Sequence, residues 1–249
     1  MGAALDQLPG FRRRFRVTPA VDWVRSEVED DYHRMQVTLR HDGQRITAVE
    51  PQMIRAPWTT CPGAEEQLKQ TFTGVELSAC VARGEKTANC THLHDLTLLA
   101  AAHAHDARPL VYDILVSDPV DGRSRAELRR NGETCLAWTL SAFKIVEPAE
   151  LAGAALNDLR DWIAMQDTQG QEAARLLRWG SILAHGRVLS MDRQSDARRL
   201  PSGSCYTFQP QRAAQAQRIV AVKDFSTSGR QPLEPLPDIQ PGARVPGVH

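Results

Sequence analysis

CTHLHDLTLLAAAHAHDARPLVYDILVSD, residues 90–118, is the stretch on which the fold turns. Its hydrophobic period changes midway. Leu93, Leu96, Leu99 and Ala100 recur at helical spacing, so one helix face is apolar. Pro109 ends that helix, because proline cannot donate to it and disfavours helix in the residue before it. LVYDILVSD (110–118) then reads as a strand, followed by RSRAELRR (123–130) and TCLAWTLSAFKIV (134–146). The joints carry Asp121-Gly122 and Asn131-Gly132, dipeptides that accept the positive φ of a tight hairpin turn.

Working outward, RMQVTLRHDGQRITAVE (34–50) alternates, with Met35, Val37 and Leu39 on one face and Asp42-Gly43 at its turn. Pro51, Pro57 and Pro62 are read as a loop, and Ala64 to Phe72 as a short helix ending before Gly74. Downstream, helical pattern returns from Leu151 through Met165. A second helix is expected from Gln171 to His185, with Leu176, Leu177 and Ile182 inward. No internal repeat is visible. Helix and antiparallel strands in this order give an α+β class: an antiparallel sheet packed on a central helix, with a helical C-terminal part. The order is compatible with a hot-dog-like arrangement in which LTLLAAAHAH is the wrapped helix, its alanines letting the sheet approach. The expected organisation is one α+β domain over 1–228, with the sheet and central helix to about 148 and the helical part over 149–228. The Pro-rich tail, 229–249, reads as a disordered end.

Thirty basic residues balance thirty acidic ones, so no overall field favours nucleic acid or an anionic membrane. The Arg12, Arg13, Arg14, Arg16 cluster and the acidic Glu27, Glu29, Asp30, Asp31 are read as solvated surface. No apolar run reaches the roughly 20 residues of a membrane span, and the N-terminus lacks a signal peptide's order of regions. The five cysteines, Cys61, Cys80, Cys90, Cys135 and Cys205, are an odd, scattered set. That pattern suits a reduced, cytoplasmic protein.

The chemistry concentrates at the start of the central helix. Thr91 or Asn89 could cap it. Cys90, His92 and Asp95 then surround the first turn, beside free backbone N–H groups and the positive dipole end. His92 and Asp95 share a face at i, i+3 and make a workable general-base pair. The plainer alternative is that Asp95 and Thr91 only cap the helix while His92 packs. His94, His103 and His105 are weaker candidates, the last two read as solvent-facing. Cys90 could be a nucleophile at a helix N-terminus, but a packed thiol is preferred. Cys80, Cys135 and Cys205 are read as small buried apolar residues. A zinc site of Cys61, Cys90, His92 and His33 is the sharper alternative, without short ligand pairs to support it.

DYHRMQVTL, CPGA, CTHLHDL, GSCYTFQP and KDFS, in that order, resemble a bacterial domain-of-unknown-function family. The resemblance spans most of residues 10–228 and leaves out the tail. Its matching positions are His33, Met35, Cys61, Cys90, Thr91, His92, Leu93, Asp95, Cys205, Tyr206 and Phe225. What it implies is aromatic acyl-CoA thioesterase activity, an activity associated with some members: vanilloyl-CoA is hydrolysed to vanillate during breakdown of lignin-derived acetophenones.

The resulting expectation is a cytoplasmic aromatic acyl-CoA thioesterase needing neither cofactor nor metal. Its partner is an acyl-CoA substrate, not nucleic acid or membrane, and a homo-oligomer is compatible with it. Asp95, oriented by His92, activates water or attacks. His33 donates to the oxyanion or pairs with a carboxylate. Cys90 and Thr91 line the substrate site, and Trp58, Tyr32 and Trp138 supply the acyl pocket. Arginines such as Arg12 and Arg83 are candidates for CoA phosphates. A non-catalytic acyl-CoA or small-ligand binder and a metal-dependent enzyme are the alternatives.

Overall fold

The computed structural model describes residues 4–188, 195–219 and 222–234. Eight strands form one antiparallel sheet: β1 (Gly10–Pro19), β2 (Trp23–Asp30), β3 (Arg34–His41), β4 (Ile46–Arg55), β5 (Leu110–Ser117), β6 (Arg123–Arg130), β7 (Glu133–Ser141) and β8 (Lys144–Glu147). Their order is β4-β3-β2-β1-β5-β6-β7-β8. The class is α+β, as the sequence predicts.

The two arginine- and acid-rich segments are strands, not solvated surface. β1 alternates: Phe11, Arg13, Phe15 and Val17 enter the core, while Arg12, Arg14 and Arg16 face the other way. β2 pairs with β1 in a register that sets Arg13 opposite Asp30, Arg14 opposite Glu29 and Arg16 opposite Glu27. The opposed charges are therefore cross-strand partners, and Arg16 grips Glu27 through two bonds of 2.7 and 2.9 Å.

The hairpin at Asp42-Gly43 forms as expected, with Gly43 at φ 97° and Asp42 Oδ1 accepting from the N–H groups of Gln44 and Arg45. Pro51, read as a breaker, lies within β4 opposite Val37. An edge strand tolerates it, because no outer neighbour needs the missing N–H. Asp121-Gly122 and Asn131-Gly132 take positive φ in their turns. The last expected strand folds back on itself at Ala142, also at positive φ (49°), giving β7 and β8.

Two helices, not one, cover the core face. After α1 (Ala64–Phe72), α2 (Thr91–Ala102) lies on β2 and β3. After α3 (Arg160–Ala164), α4 (Thr168–Ala184) lies on β5, β6 and β7. A single wrapped central helix is therefore corrected. Asp167 caps α4, its carboxylate accepting from Gly170 N at 2.7 Å. The buried stripe of α4 is Ala173, Ala174, Leu177, Gly180, Ser181 and Ala184, while Leu176 and Ile182 are only partly covered. A Cβ on Gly180 would stand 2.7 Å from Ile114 Cγ2, so its absence allows helix and strand to touch.

The architecture is a repeat that residue patterns did not reveal. Each half is a four-strand meander followed by a short helix and a longer one across the sheet. The halves meet where β1 pairs with β5, antiparallel, from Gly10↔Ser117 to Val17↔Leu110. Contacts between His92 and Trp179, and between His103 and Glu172, show that α2 and α4 run side by side in opposite directions.

The other sheet face is crossed by the C-terminal segment. Ser226 Oγ accepts from Gly10 N, Lys223 N donates to the Asp31 carbonyl, and Leu233 N donates to Glu29 Oε2 at 2.9 Å. Phe225 and Leu233 are buried there. The tail read as disordered from Gly229 is thus packed as far as Glu234; residues 235–249 lie outside the described residues. Among those described, no helix is long and apolar enough to cross a membrane.

Candidate functional site

The β2–β3 turn is the part of the first half that departs from its counterpart. In the second half, β6 and β7 are joined by a tight Asn131-Gly132 turn. In the first, Asp31, Tyr32 and His33 intervene, and each makes a buried contact. Arg55 on β4 fastens this turn, donating to the carbonyls of Asp30 (2.5 Å), Asp31 (2.7 Å) and His33 (3.2 Å). Asp31 accepts from Arg187 Nη1 at 2.6 Å, and the same guanidinium reaches Asp118 and Asp224. Tyr32 stacks beside Phe11 with ring centres 6.2 Å apart.

Asp30 is the centre of the arrangement. It is fully buried, on the core face of β2. Its Oδ1 accepts from Tyr32 N at 2.8 Å, His33 N at 2.7 Å and His33 Nδ1 at 3.0 Å, while Oδ2 accepts from buried Arg13. Burial alone would raise this carboxyl's pKa. The positive charges of His33 and Arg13 outweigh it and hold the pKa far below the usual carboxylate range. An ionised carboxylate has no proton to give, so the hydrogen of the Asp30–His33 bond is carried by His33 Nδ1, which leaves Nε2 as the nitrogen that can exchange a proton.

His92 reaches this pair from α2. Its ring stacks on His33 with centres 4.0 Å apart and planes 30° apart. Burial first, then the charges of His33 and Arg13, push its pKa well below the ordinary histidine value. His92 is therefore a neutral imidazole. Trp179, on α4, is also its neighbour, with ring centres 6.3 Å apart.

Of the expected site residues, His33 and His92 come together and Tyr32 borders them. The pair predicted from helical spacing does not form. Asp95 turns outward to Lys86, 2.7 Å away, with its side chain 26 % exposed. Burial would raise the Asp95 pKa, but the neighbouring His94 ring and the Lys86 ammonium lower it. Spacing at i, i+3 places two residues on one side of a helix without choosing their partners; here Lys86 takes the carboxylate and His33 the imidazole. The carboxylate beside His33 is Asp30, which sequence reasoning missed. Its signal was available in the opposed charge runs of β1 and β2.

The helix start also differs from expectation. Cys90 is the N-cap residue, and no side chain caps the helix. Asn89 instead donates to Thr71 Oγ1 and to the Glu85 carbonyl, both at 3.0 Å. Thr91 is buried. Burial and neighbouring Cys61 push the Cys90 thiol far up, against the first-turn N–H groups of Leu93 and His92, so Cys90 is a protonated, packed thiol. His103 is not solvent-facing: it is bonded to Asp106 at 2.7 Å and Glu172 at 3.0 Å. Cys80 is buried as expected, Cys205 only partly, and Cys135 is exposed on β7.

Trp58 belongs to a separate small cluster with Cys61, Ala197 and Ala213, beneath the Arg218 guanidinium. Trp138 packs edge-on to Trp162 in the second half. Neither is among the rings that meet His33 or His92. Arg12 is buried and spends its guanidinium on backbone carbonyls, including Leu5 at 3.0 Å. Arg83 pairs with Glu85 on the surface.

The metal question has a different answer from the one the cysteines suggested. Among the described residues, the trio whose ligand atoms lie within 4.8 Å of one another is Asp30, His33 and His92. Cys61 and Cys90 are outside it, and Cys61 Sγ accepts from Thr207 Oγ1. Asp30 already accepts four hydrogen bonds, one of them from an arginine whose charge would repel a cation. The donor set suits a carboxylate that orients His33 better than one that grips an ion.

In chemical terms, the arrangement is one that could serve acid–base chemistry: an ionised carboxylate fixes one nitrogen of a histidine, and a second, neutral histidine lies against it. No curated protein matches the chain. A family model matches residues 14–105, from within β1 to just beyond α2, so that His33, Asp30 and His92 all fall inside it and α4 does not. Over that span the chain is similar to DUF2889, a family described as a protein of unknown function.

Proposed function

We propose that the protein is a cytoplasmic thioesterase that hydrolyses an aromatic acyl-CoA of the vanilloyl-CoA kind to the free acid and CoA. The observation that carries this reading is the 3.0 Å bond from His33 Nδ1 to buried Asp30. It leaves Nε2 as the base and stabilises the imidazolium that forms when the base takes a proton. The acyl class comes from the family resemblance.

In the reaction, His33 Nε2 removes a proton from water as the oxygen attacks the thioester carbonyl. The resulting tetrahedral intermediate collapses, the carbon–sulfur bond breaks, and the CoA sulfur leaves with the proton returned by His33. The products are one carboxylic acid and one thiol, with no net change of oxidation state. Asp95, half the expected base, is outside this step.

The test is release of free thiol from benzoyl- and vanilloyl-CoA by purified protein, compared with His33→Gln. Loss of a positioned base costs about 10²–10⁴-fold in turnover. Folded wild-type protein that releases no thiol from any aromatic or aliphatic acyl-CoA defeats the proposal; saturable binding without release would instead favour the ligand-binding alternative. The proximity of the Asp30, His33 and His92 ligand atoms favours a second reading, a metal-dependent hydrolase. Stoichiometric metal in the purified protein, with activity lost to a chelator and restored by the ion, would select it.

A further inference from the structure

Two buried nitrogens beside the acid–base centre have no hydrogen-bond partner among the described residues: His92 Nε2 and Trp179 Nε1. They belong to neighbouring rings, 6.3 Å between centres and inclined by 53°. An indole nitrogen is a donor only, and a buried donor without an acceptor is a standing cost that natural structures rarely carry without a reason. His92 is itself nine-tenths buried. His92 thus has both His33 and Trp179 as ring neighbours, at 4.0 and 6.3 Å between centres.

Trp179 has partly exposed charged neighbours. Lys86 Nζ lies 5.4 Å from the centre of the Trp179 ring and is paired with Asp95. Both side chains are partly exposed, at 44 and 26 %. The Trp179 ring therefore lies next to a partly exposed ion pair, where α4 meets the loop before α2.

We propose that Trp179 is a substrate-contacting residue: its indole N–H, beside the neutral His92 imidazole, binds the acyl oxygen of the ligand, a thioester carbonyl before hydrolysis and a carboxylate after it. This rests on the thioesterase reading for the chemical step, but the ligand class, an acyl or carboxylate oxygen, follows from the donors alone. It makes the site a joint product of both halves. His33, Asp30 and His92 come from the DUF2889-matched segment, and the donor comes from α4, outside it. Asp30 and Trp179 thus divide the work: one holds the base, the other holds the oxygen on which negative charge develops.

Trp179→Phe keeps an aromatic ring in the seam and removes the N–H. Removal of one such donor costs on the order of 10²–10³-fold in kcat. A purely packing role predicts turnover within a few-fold of wild type. Binding separates this inference from the hydrolysis proposal. Benzoate, titrated calorimetrically, should bind wild-type protein and bind Trp179→Phe at least tenfold more weakly. If wild type releases no thiol but this difference persists, the thioesterase reading fails and the oxygen site stands. If wild type hydrolyses thioesters while Trp179→Phe matches it in kcat and in benzoate affinity, the oxygen site is overturned. A measurement on the wild-type sequence covers the case in which the variant does not fold. The chain has five tryptophans, and with 5-fluorotryptophan incorporated a fluorine resonance should move on addition of benzoate. If none moves, the inference is overturned.

Discussion

Replacing Asp30 by Asn tests the buried charge pair beneath the site. Arg13 and Asp30 are 1 and 0 % exposed at their side chains, so neither can turn to water when the other is lost. Asparagine keeps the shape and one acceptor oxygen, but leaves the guanidinium charged in the core. Breaking a buried pair in this way costs about 3–5 kcal/mol. For a chain of this size each kcal/mol lowers Tm by about 2–4 °C, so Asp30→Asn should melt roughly 6–20 °C below wild type. Arg13→Met should cost less, because Asp30 retains the two backbone N–H groups and His33 Nδ1. The double variant should recover part of the loss, since a neutral pair leaves no isolated charge. Urea denaturation followed by far-ultraviolet circular dichroism of all four proteins closes the cycle. The acid limb gives an independent check. A carboxyl with its folded pKa below its unfolded value, about 3.9, stabilises the fold above that value and loses the contribution as pH falls toward the folded pKa. Wild type should therefore lose stability faster than the double variant below about pH 4. A loss under about 1 kcal/mol for Asp30→Asn, or additivity of the two single changes within about 0.5 kcal/mol, would refute the reasoning.

Asp95→Asn removes only the partner of Lys86 in a partly exposed pair, so it should cost under about 1 kcal/mol and leave thioester turnover within a few-fold; a hundredfold loss would restore Asp95 as a base. His103 is held by Glu172 and Asp106, whose hydrogen bonds outweigh the effect of burial and raise its pKa. Its stabilisation is complete below the unfolded value, about 6.5, and is lost as pH rises through the higher folded value, so urea midpoints should fall between pH 6 and pH 9 in wild type and less so in His103→Gln. Gly10→Ala would place a Cβ 2.1 Å from the Val116 carbonyl oxygen and 2.7 Å from Ser117 Cα, so it should destabilise by at least about 1–3 kcal/mol, measured by thermal melting; an unchanged Tm would contradict the closeness of β1 and β5.

The parts of the fold that were legible are those where one period dominates. Residues 110–130 alternate cleanly and are bounded by Asp-Gly and Asn-Gly, so their strands and turns were readable. β1 was obscured because FRRRFRV places arginine on both faces: Arg12, Arg14 and Arg16 on one, Arg13 among Phe11 and Phe15 on the other. The charge runs looked like solvent-facing surface because each was considered alone. As a hairpin, they neutralise one another across the ladder. His33 and His92 could be named from residue type and the family resemblance, but their stacking depends on a long-range packing of α2 against β3. Asp30 lay inside the run dismissed as surface, and Trp179 lies beyond the motifs, on a helix whose neighbour is set by the repeated architecture.

The β1–β5 seam also determines what can exist as a separate piece. The segment matched by the family model stops before β5. Cut there, β1 would become an open edge lined by Phe11, Phe15 and Val17, with its pairing groups free along eight register positions. During folding, the first meander has to remain in that exposed condition until a strand about a hundred residues further along the chain arrives, a loop closure that slows assembly and favours pairing with another molecule. The second half is thus a built-in escort for the first: by completing the sheet it removes the edge along which first halves from different chains would otherwise zip together.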